Sequence, residues 1–262
     1  MLGGVVPDAT LFLAPLFFGV SFFYSSVGFG GGSSYIAILV LFGISLFMVP
    51  PISLILNIVA SSMALFNYAR AGHLSLSLSA PFLASVPFAF ASALIVLSEK
   101  QLALIFVVAM YAASAALLIS GGLIRRQHER VMQMNVSRTK LIAVGVPTGS
   151  ALGVLAGIVG IGGGIWLSPL LILSGLADPK KAAATASLFI LANSISGFAG
   201  HSIGKELDLA LLLPLALVVL AGGIIGSRFG AFKFDHDKIR VIVGGLVAVA
   251  ATLLLVNQFM KI

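Results

Sequence analysis

The chain contains no cysteine, one tryptophan and only eight acidic residues among 262. Without cysteine there are no disulfides, thiolate metal sites or cysteine nucleophiles. Charge of either sign is scarce: nine per cent of residues are charged and sixty per cent hydrophobic, against about a quarter charged in soluble domains. With a mean hydropathy of +1.16, the chain reads as an integral membrane protein. No H-E-x-x-H, G-x-S-G or acidic dyad occurs, so an intramembrane enzyme lacks its parts, and no cofactor or metal is expected. The first residues, MLGGVVPDATLFLAPLFF, have no basic n-region and no A-x-A-like site, so the first apolar segment is expected to remain a membrane helix.

The acids are also absent from the apolar interiors. Asp8, Glu99, Glu129, Asp178, Glu206, Asp208, Asp235 and Asp237 all fall at segment ends or in loops. Cation conductors and proton pumps place carboxylates at membrane depth. Their absence there points to an anion, held by backbone dipoles, hydroxyls and amides. A divalent anion leaves dipoles more readily than it would leave buried arginines.

The apolar runs are unbroken and mostly about twenty residues long, without the period-two alternation of a barrel. The expected fold is an all-α polytopic membrane protein. Segments fall near 9–27, 33–48, 51–69, 76–97, 102–123, 140–159, 165–176, 182–200, 207–227 and 239–259. One long polar stretch, RRQHERVMQMNVSRTK, interrupts them. It divides the chain into an N-terminal repeat, 1–124, a basic linker, 125–139, and a C-terminal repeat, 140–262, of five segments each.

Two glycine-rich stretches identify the halves as repeats. GFGGGSSYIAILVLFGI, Gly28 to Ile44, and GIGGGIWLSPLLILSGL, Gly160 to Leu176, agree without a gap at seven of seventeen positions, including G-x-G-G-G and a closing glycine. Pro81 and Pro214 in the fourth segments, and Asn57 and Asn193 in the third, are weaker echoes. An odd number of segments per half makes the second copy inverted. The formal charge of +7 is spread over short loops, as orientation signals are, and nucleic acid is not an expected partner. With the linker in the cytoplasm, Arg70, Arg125, Arg126, Arg130, Arg138, Lys140, Lys180, Lys181, Arg228, Lys233, Lys238 and Arg240 lie inside. Lys100, Lys205 and Lys261 lie outside. Both termini are then exterior. The segments 33–48 and 165–176 are short for a span. The expectation is therefore eight to ten membrane segments, with 1/2 and 6/7 as glycine-tipped hairpins.

Three consecutive glycines leave peptide N–H groups uncovered. The first four N–H groups of the helix that follows have no internal acceptor and lie at the positive end of its dipole. In lipid they need a partner, and an anion is one. Paired glycine-interrupted segments at matching places in two halves mark transporter binding sites; close helix packing is the competing explanation. The candidate substrate contacts are Gly30, Gly31, Gly32, Ser33, Ser34 and Asn57 in the first half. Gly162, Gly163, Gly164, Trp166, Thr185 and Asn193 are those of the second. Asn57 and Asn193 serve equally well as helix–helix glue, and Trp166 as an interface anchor. A proton is the candidate coupling ion, carried by His73, His201 or the anion itself. The sequence leaves a secondary transporter and an anion channel both open, and is silent on oligomeric state.

At these residues the chain resembles the TauE/SafE sulfite exporter family, bacterial membrane proteins associated with sulfite and other sulfur-containing or organic anions. The resemblance rests on the first stretch and on GIVGIGGGIWLSPLLILSGLADPKKAAATASLFILANSISG. There Gly160 to Gly164, Pro169, Leu171, Asp178, Pro179, Ala182, Thr185, Asn193, Ser194, Ser196 and Gly197 occupy the family's pattern. Ser187 stands one place beyond the family's T-S pair, because Ala186 follows Thr185. In the first half, Pro50 and Pro51 follow without the lysine-bearing loop. The resemblance implies a transporter for a sulfite-like anion in a bacterial inner membrane, with an internal repeat.

Overall fold

The computed structural model describes residues 6–127, 137–203 and 207–259, without the side chains of 6–11, 122–127 and 259. His128, Glu129 and Arg130 in the polar stretch, together with Lys205, Glu206 and Lys261, lie outside the described residues, as do the side chains of Asp8, Arg125 and Arg126. The order is α1 (Val6–Ser25), α2 (Gly32–Leu41), α3 (Val49–Arg70), α4 (Leu76–Ser79), a 3-10 turn (Ala80–Ala84), α5 (Ser85–Ala93) and α6 (Glu99–Gln127). Then come α7 (Arg138–Val159), α8 (Gly164–Leu173), α9 (Pro179–His201), α10 (Leu209–Phe232) and α11 (His236–Phe259). No strand occurs among the described residues. Among the described residues seven spans are long and apolar enough to cross a membrane, and α1 has 20 residues. The expected all-α membrane fold is what the chain adopts.

The repeated glycine motif is the start and the stop of a ten-residue helix. Gly31 and Gly163 are the N-cap residues of α2 and α8, with φ of 94° and 81°. Gly43 and Gly175 end them at φ 88° and 70°. At each end the two following N–H groups turn back to helix carbonyls, Gly43 to Val40 and Ile44 to Leu39, Gly175 to Ile172 and Leu176 to Leu171. Only glycine takes this left-handed closure without strain. At 1.5 Å per residue α2 and α8 are about 15 Å long, half of a hydrocarbon core about 30 Å thick.

The fourth segment departs from expectation. Instead of one helix to residue 97, Pro81 sits in the 3-10 turn and the helix ends at Ala93. Proline removes an amide donor and crowds the preceding turn. Pro214, its sequence echo, is accommodated inside the continuous α10.

Packing pairs the elements across the polar stretch. α6 lies on α11 and α3 on α9, while α1 lies on α10 as α7 does on α5. With α4, the turn and α5 counted as one element, exchanging the five elements before the stretch with the five after it maps each contact onto another or onto itself. Glycines at spacing four make the two outer contacts close. Gly222, Gly226 and Gly230 of α10 face the backbone of Phe18, Phe22 and Ser26. On α7, Gly149, Gly153 and Gly157 face that of Phe82, Ser85 and Ala89. Asp178 caps α9 by accepting from Lys180 and Lys181 N–H, each at 3.0 Å. Partial burial pushes the carboxyl of Asp178 up, but the Lys181 hydrogen bonds and charge outweigh that and hold it low.

A Cβ on Gly226 would overlap the Phe22 carbonyl, whereas one on Gly19 meets nothing within 4 Å. Gly226→Ala is therefore expected to destabilise the detergent-solubilised protein by about 1–3 kcal/mol, the usual overpacking cost. Thermal unfolding followed by tryptophan fluorescence should show Gly19→Ala unchanged beside it.

Candidate functional site

The two glycine tips meet on α3. Asn57, fully buried, accepts from the Gly32 N–H at 2.9 Å and donates from Nδ2 to the Ile161 carbonyl at 3.0 Å. One turn earlier, the buried Ser53 hydroxyl is shared between the carbonyls of Gly32 at 3.2 Å and Gly160 at 3.3 Å. One amide and one hydroxyl thus tie both breaks to the same helix face, since residues four apart are neighbours on a helix. Gly30 and Gly32 lie against Asn57 so closely that a Cβ on either would overlap its amide group.

Around this node the proposed contacts divide. In the first tip, Ser33 and Ser34 are buried and engaged by the Tyr24 hydroxyl at 3.3 and 2.7 Å. With Gly32 N–H on Asn57, that tip is largely satisfied from within. In the second tip, no side chain caps the α8 N-terminus among the described residues. Gly162, Gly163 and Gly164 abut Ser194, Phe189 and Ile190 of α9. The Ser194 hydroxyl is fully buried and without a partner among the described residues.

Three residues do not gather at the node. Asn193 donates to the Phe189 carbonyl of its own helix at 2.8 Å, its Oδ1 unpartnered. In the register that pairs Gly28 with Gly160, Asn57 corresponds to Phe189, and Asn193 to Ser61, one turn further on. Thr185 accepts from Ser79 at 3.1 Å, on the α4 side of α9. Trp166 is buried and donates to the Ala109 carbonyl of α6 at 3.0 Å, pinning α8 rather than anchoring at a membrane surface. Ser187 bonds back to Ala184.

Arg240 requires a correction. Sequence reading counts it with the cytoplasmic orientation signals, at the edge of segment 239–259, but α11 begins at His236, so Arg240 lies a full turn inside the helix and is fully buried. Its Nη2 donates to Ser168 of α8 at 2.8 Å and to the Pro179 carbonyl at 3.3 Å. The signal was present in its apolar neighbours, Ile239 and Val241. His201 lies on a cavity of about 230 Å³ shared with Phe47, Pro50 and Leu97. It meets the Gly157 carbonyl at 2.6 Å. His73 is half-buried against the Ala231 carbonyl, at 3.3 Å.

Residues 13–254 match the family described as Sulfite exporter TauE/SafE. The chain belongs to the TauE/SafE family. It is a membrane transporter family, not an enzyme family. A probable membrane transporter protein of Sinorhizobium fredii, y4hK, is 28% identical over 249 residues, covering 93% of this chain and 97% of that protein. The probable membrane transporter protein YunE of Bacillus subtilis is 34% identical over 101 residues, 38% of this chain and 36% of its own. Sulfite exporter TauE/SafE family protein 1 of Arabidopsis thaliana is 33% identical over 110 residues, 40% of this chain and 24% of its own. No solved structure matches.

Asn57→Ala strands a buried N–H at Gly32 and a buried carbonyl at Ile161, each loss about 1–3 kcal/mol. Thermal unfolding in detergent should register a larger drop than for Asn193→Ala, whose amide bonds only within α9.

Proposed function

We propose that this transporter exports a small oxyanion, sulfite or a related sulfur-containing or organic anion, across a bacterial inner membrane. The observation that carries this reading is the uncapped α8 N-terminus, which begins three residues beyond the Ile161 carbonyl that Asn57 holds. A helix N-terminus in low dielectric attracts an anion. Its partial charge holds the anion weakly enough to be released. The proposed site comprises Gly30, Gly31, Gly32, Ser33, Ser34 and Asn57 from one half. Gly162, Gly163 and Gly164 come from the other, with the second tip nearest the anion and Asn57 as its frame. Trp166, Thr185 and Asn193 bond away from the node and hold the surrounding helices.

The two halves, 1–124 and 140–262, are then inverted repeats joined by a cytoplasmic linker, with both termini outside. The exchange of packing partners across the polar stretch supports that arrangement. Alternating access follows from rocking of the halves about the node. A transporter is favoured over a channel because Asn57 and Ser53 close the tips upon each other. His201, at a cavity wall, and His73 are the protein groups suited to couple a proton.

The expected result in proteoliposomes is sulfite flux that responds to an imposed pH gradient and falls at least tenfold in Gly31→Val and Gly163→Val. Native flux in well-folded forms of both variants removes the tip from the mechanism, and flux indifferent to every coupling gradient favours the channel. For the topology, cysteines introduced at Lys100 and Lys233, which lie at matching places in the two halves, should react with an impermeant thiol reagent from opposite faces; labelling from one face contradicts the inversion.

A further inference from the structure

Arg240 is the one fully buried charged side chain in the core of the described residues. Its Nη2 is occupied by Ser168 and Pro179, but Nε and Nη1 have no hydrogen-bond partner among the described residues. That leaves three N–H bonds on a permanently charged group. No ion pair to it occurs among the described residues, and Asp178 pairs with Lys181 at 3.3 Å. The carboxylates of Asp237 and Asp178 act on it electrostatically, but a fully buried guanidinium with two nitrogens lacking acceptors is still a costly arrangement.

The two acceptors that reach it, Ser168 and the Pro179 carbonyl, both take Nη2. Ser168 accepts from Arg240, and its own hydroxyl proton has no acceptor among the described residues. Ser168 lies four residues beyond Gly164, about 6 Å along the axis of α8. The guanidinium therefore stands within roughly one helical turn of the uncapped, positive end of that helix. One turn earlier on α11, His236 is buried, with Nε2 near the Gly230 carbonyl at 3.0 Å and Tyr68 at 3.2 Å. Its Nδ1 is unpartnered among the described residues.

We propose that Arg240 is the charged half of an oxyanion site, its Nε and Nη1 donating to an anion with at least two oxygens on one centre, assisted by the Ser168 hydroxyl. A guanidinium distinguishes such an anion from a halide, because its planar donors match oxygens in a fixed geometry. This inference rests on the anion-transport reading and deepens it. Backbone dipoles at the second tip and one cation a turn away act on the same anion. The cation lies at the end of the bundle where α11 begins, which the proposed topology assigns to the cytoplasm, so it loads the anion before it reaches the tip.

The test uses the purified full chain with sodium sulfite as probe and sodium chloride as the halide control. Binding is read by thermal stabilisation and by titration calorimetry. Native protein should be stabilised by sulfite and not by chloride. Arg240→Gln should bind sulfite at least tenfold more weakly, while its ligand-free melting temperature is no lower than native. Arg240→Lys should fall between, and Arg228→Gln, which removes an exposed cation, should behave as native. Unchanged sulfite affinity in Arg240→Gln overturns the site. If that variant does not fold, Arg240→Lys and Ser168→Ala decide: weakened affinity supports the site and native affinity overturns it. Sulfite flux in proteoliposomes separates the two readings. Binding through Arg240 without flux leaves the site and removes export; flux unaltered by Arg240→Gln leaves export and removes the site.

Discussion

A peptide group in hydrocarbon has no water to turn to, so a membrane chain that breaks a helix part-way must find partners for the exposed backbone within the protein. This chain breaks twice, before α2 and before α8, and meets much of the demand with two side chains. Asn57 has a carbonyl and an amide on one planar group, and it uses the first on the Gly32 N–H and the second on the Ile161 carbonyl. Ser53 takes the neighbouring carbonyls. The glycines are small because the asparagine must come this close. The short helices in turn exist because the glycines start and stop them.

The outer contacts obey a second constraint. Helices in lipid gain no hydrophobic drive from touching one another, so they associate through close packing and hydrogen bonds. Glycines every fourth residue on α7 and α10 bring backbones together, and hydroxyls stitch the same interfaces, Ser21 to the Val219 carbonyl at 2.7 Å and Ser196 to the Val86 carbonyl at 2.6 Å. Each interface joins one half of the chain to the other. Smooth glycine faces leave few interdigitating side chains to resist sliding, as the proposed rocking of the halves requires.

Much of this was legible in the sequence because lipid punishes irregularity. The all-α membrane fold, the short helices and the closing glycines Gly43 and Gly175 follow from hydropathy and glycine placement, which local physics governs. Other features depend on partners distant in sequence. Nothing near Trp166 announces that its indole reaches Ala109, and the matched positions of Asn57 and Asn193 concealed a one-turn difference in register. Arg240 was misread because a cation at a segment edge is ordinarily a solvated orientation signal, and only packing by Ser168 and Pro179 shows that it turns inward. The glycine seams on α7 and α10 stand at spacing four in the sequence, but which backbone each one meets is set by packing.

The two tips are built alike and finished differently, and the difference bears on how many anions the scaffold holds. At α2 the helix start faces an asparagine whose Oδ1 both satisfies the first N–H and presents negative partial charge where an anion would sit. At α8 the corresponding position is Phe189, which has no acceptor to offer and leaves that helix start bare. A guanidinium one turn along α8 adds positive charge on the same side, while no cation among the described residues is hydrogen-bonded beside α2. The repeat therefore supplies two cradles by geometry, but its side chains neutralise one and charge the other. On the proposed reading a single anion belongs, on electrostatic grounds, at the second tip, and the first is the strut that holds the node together as the halves rock.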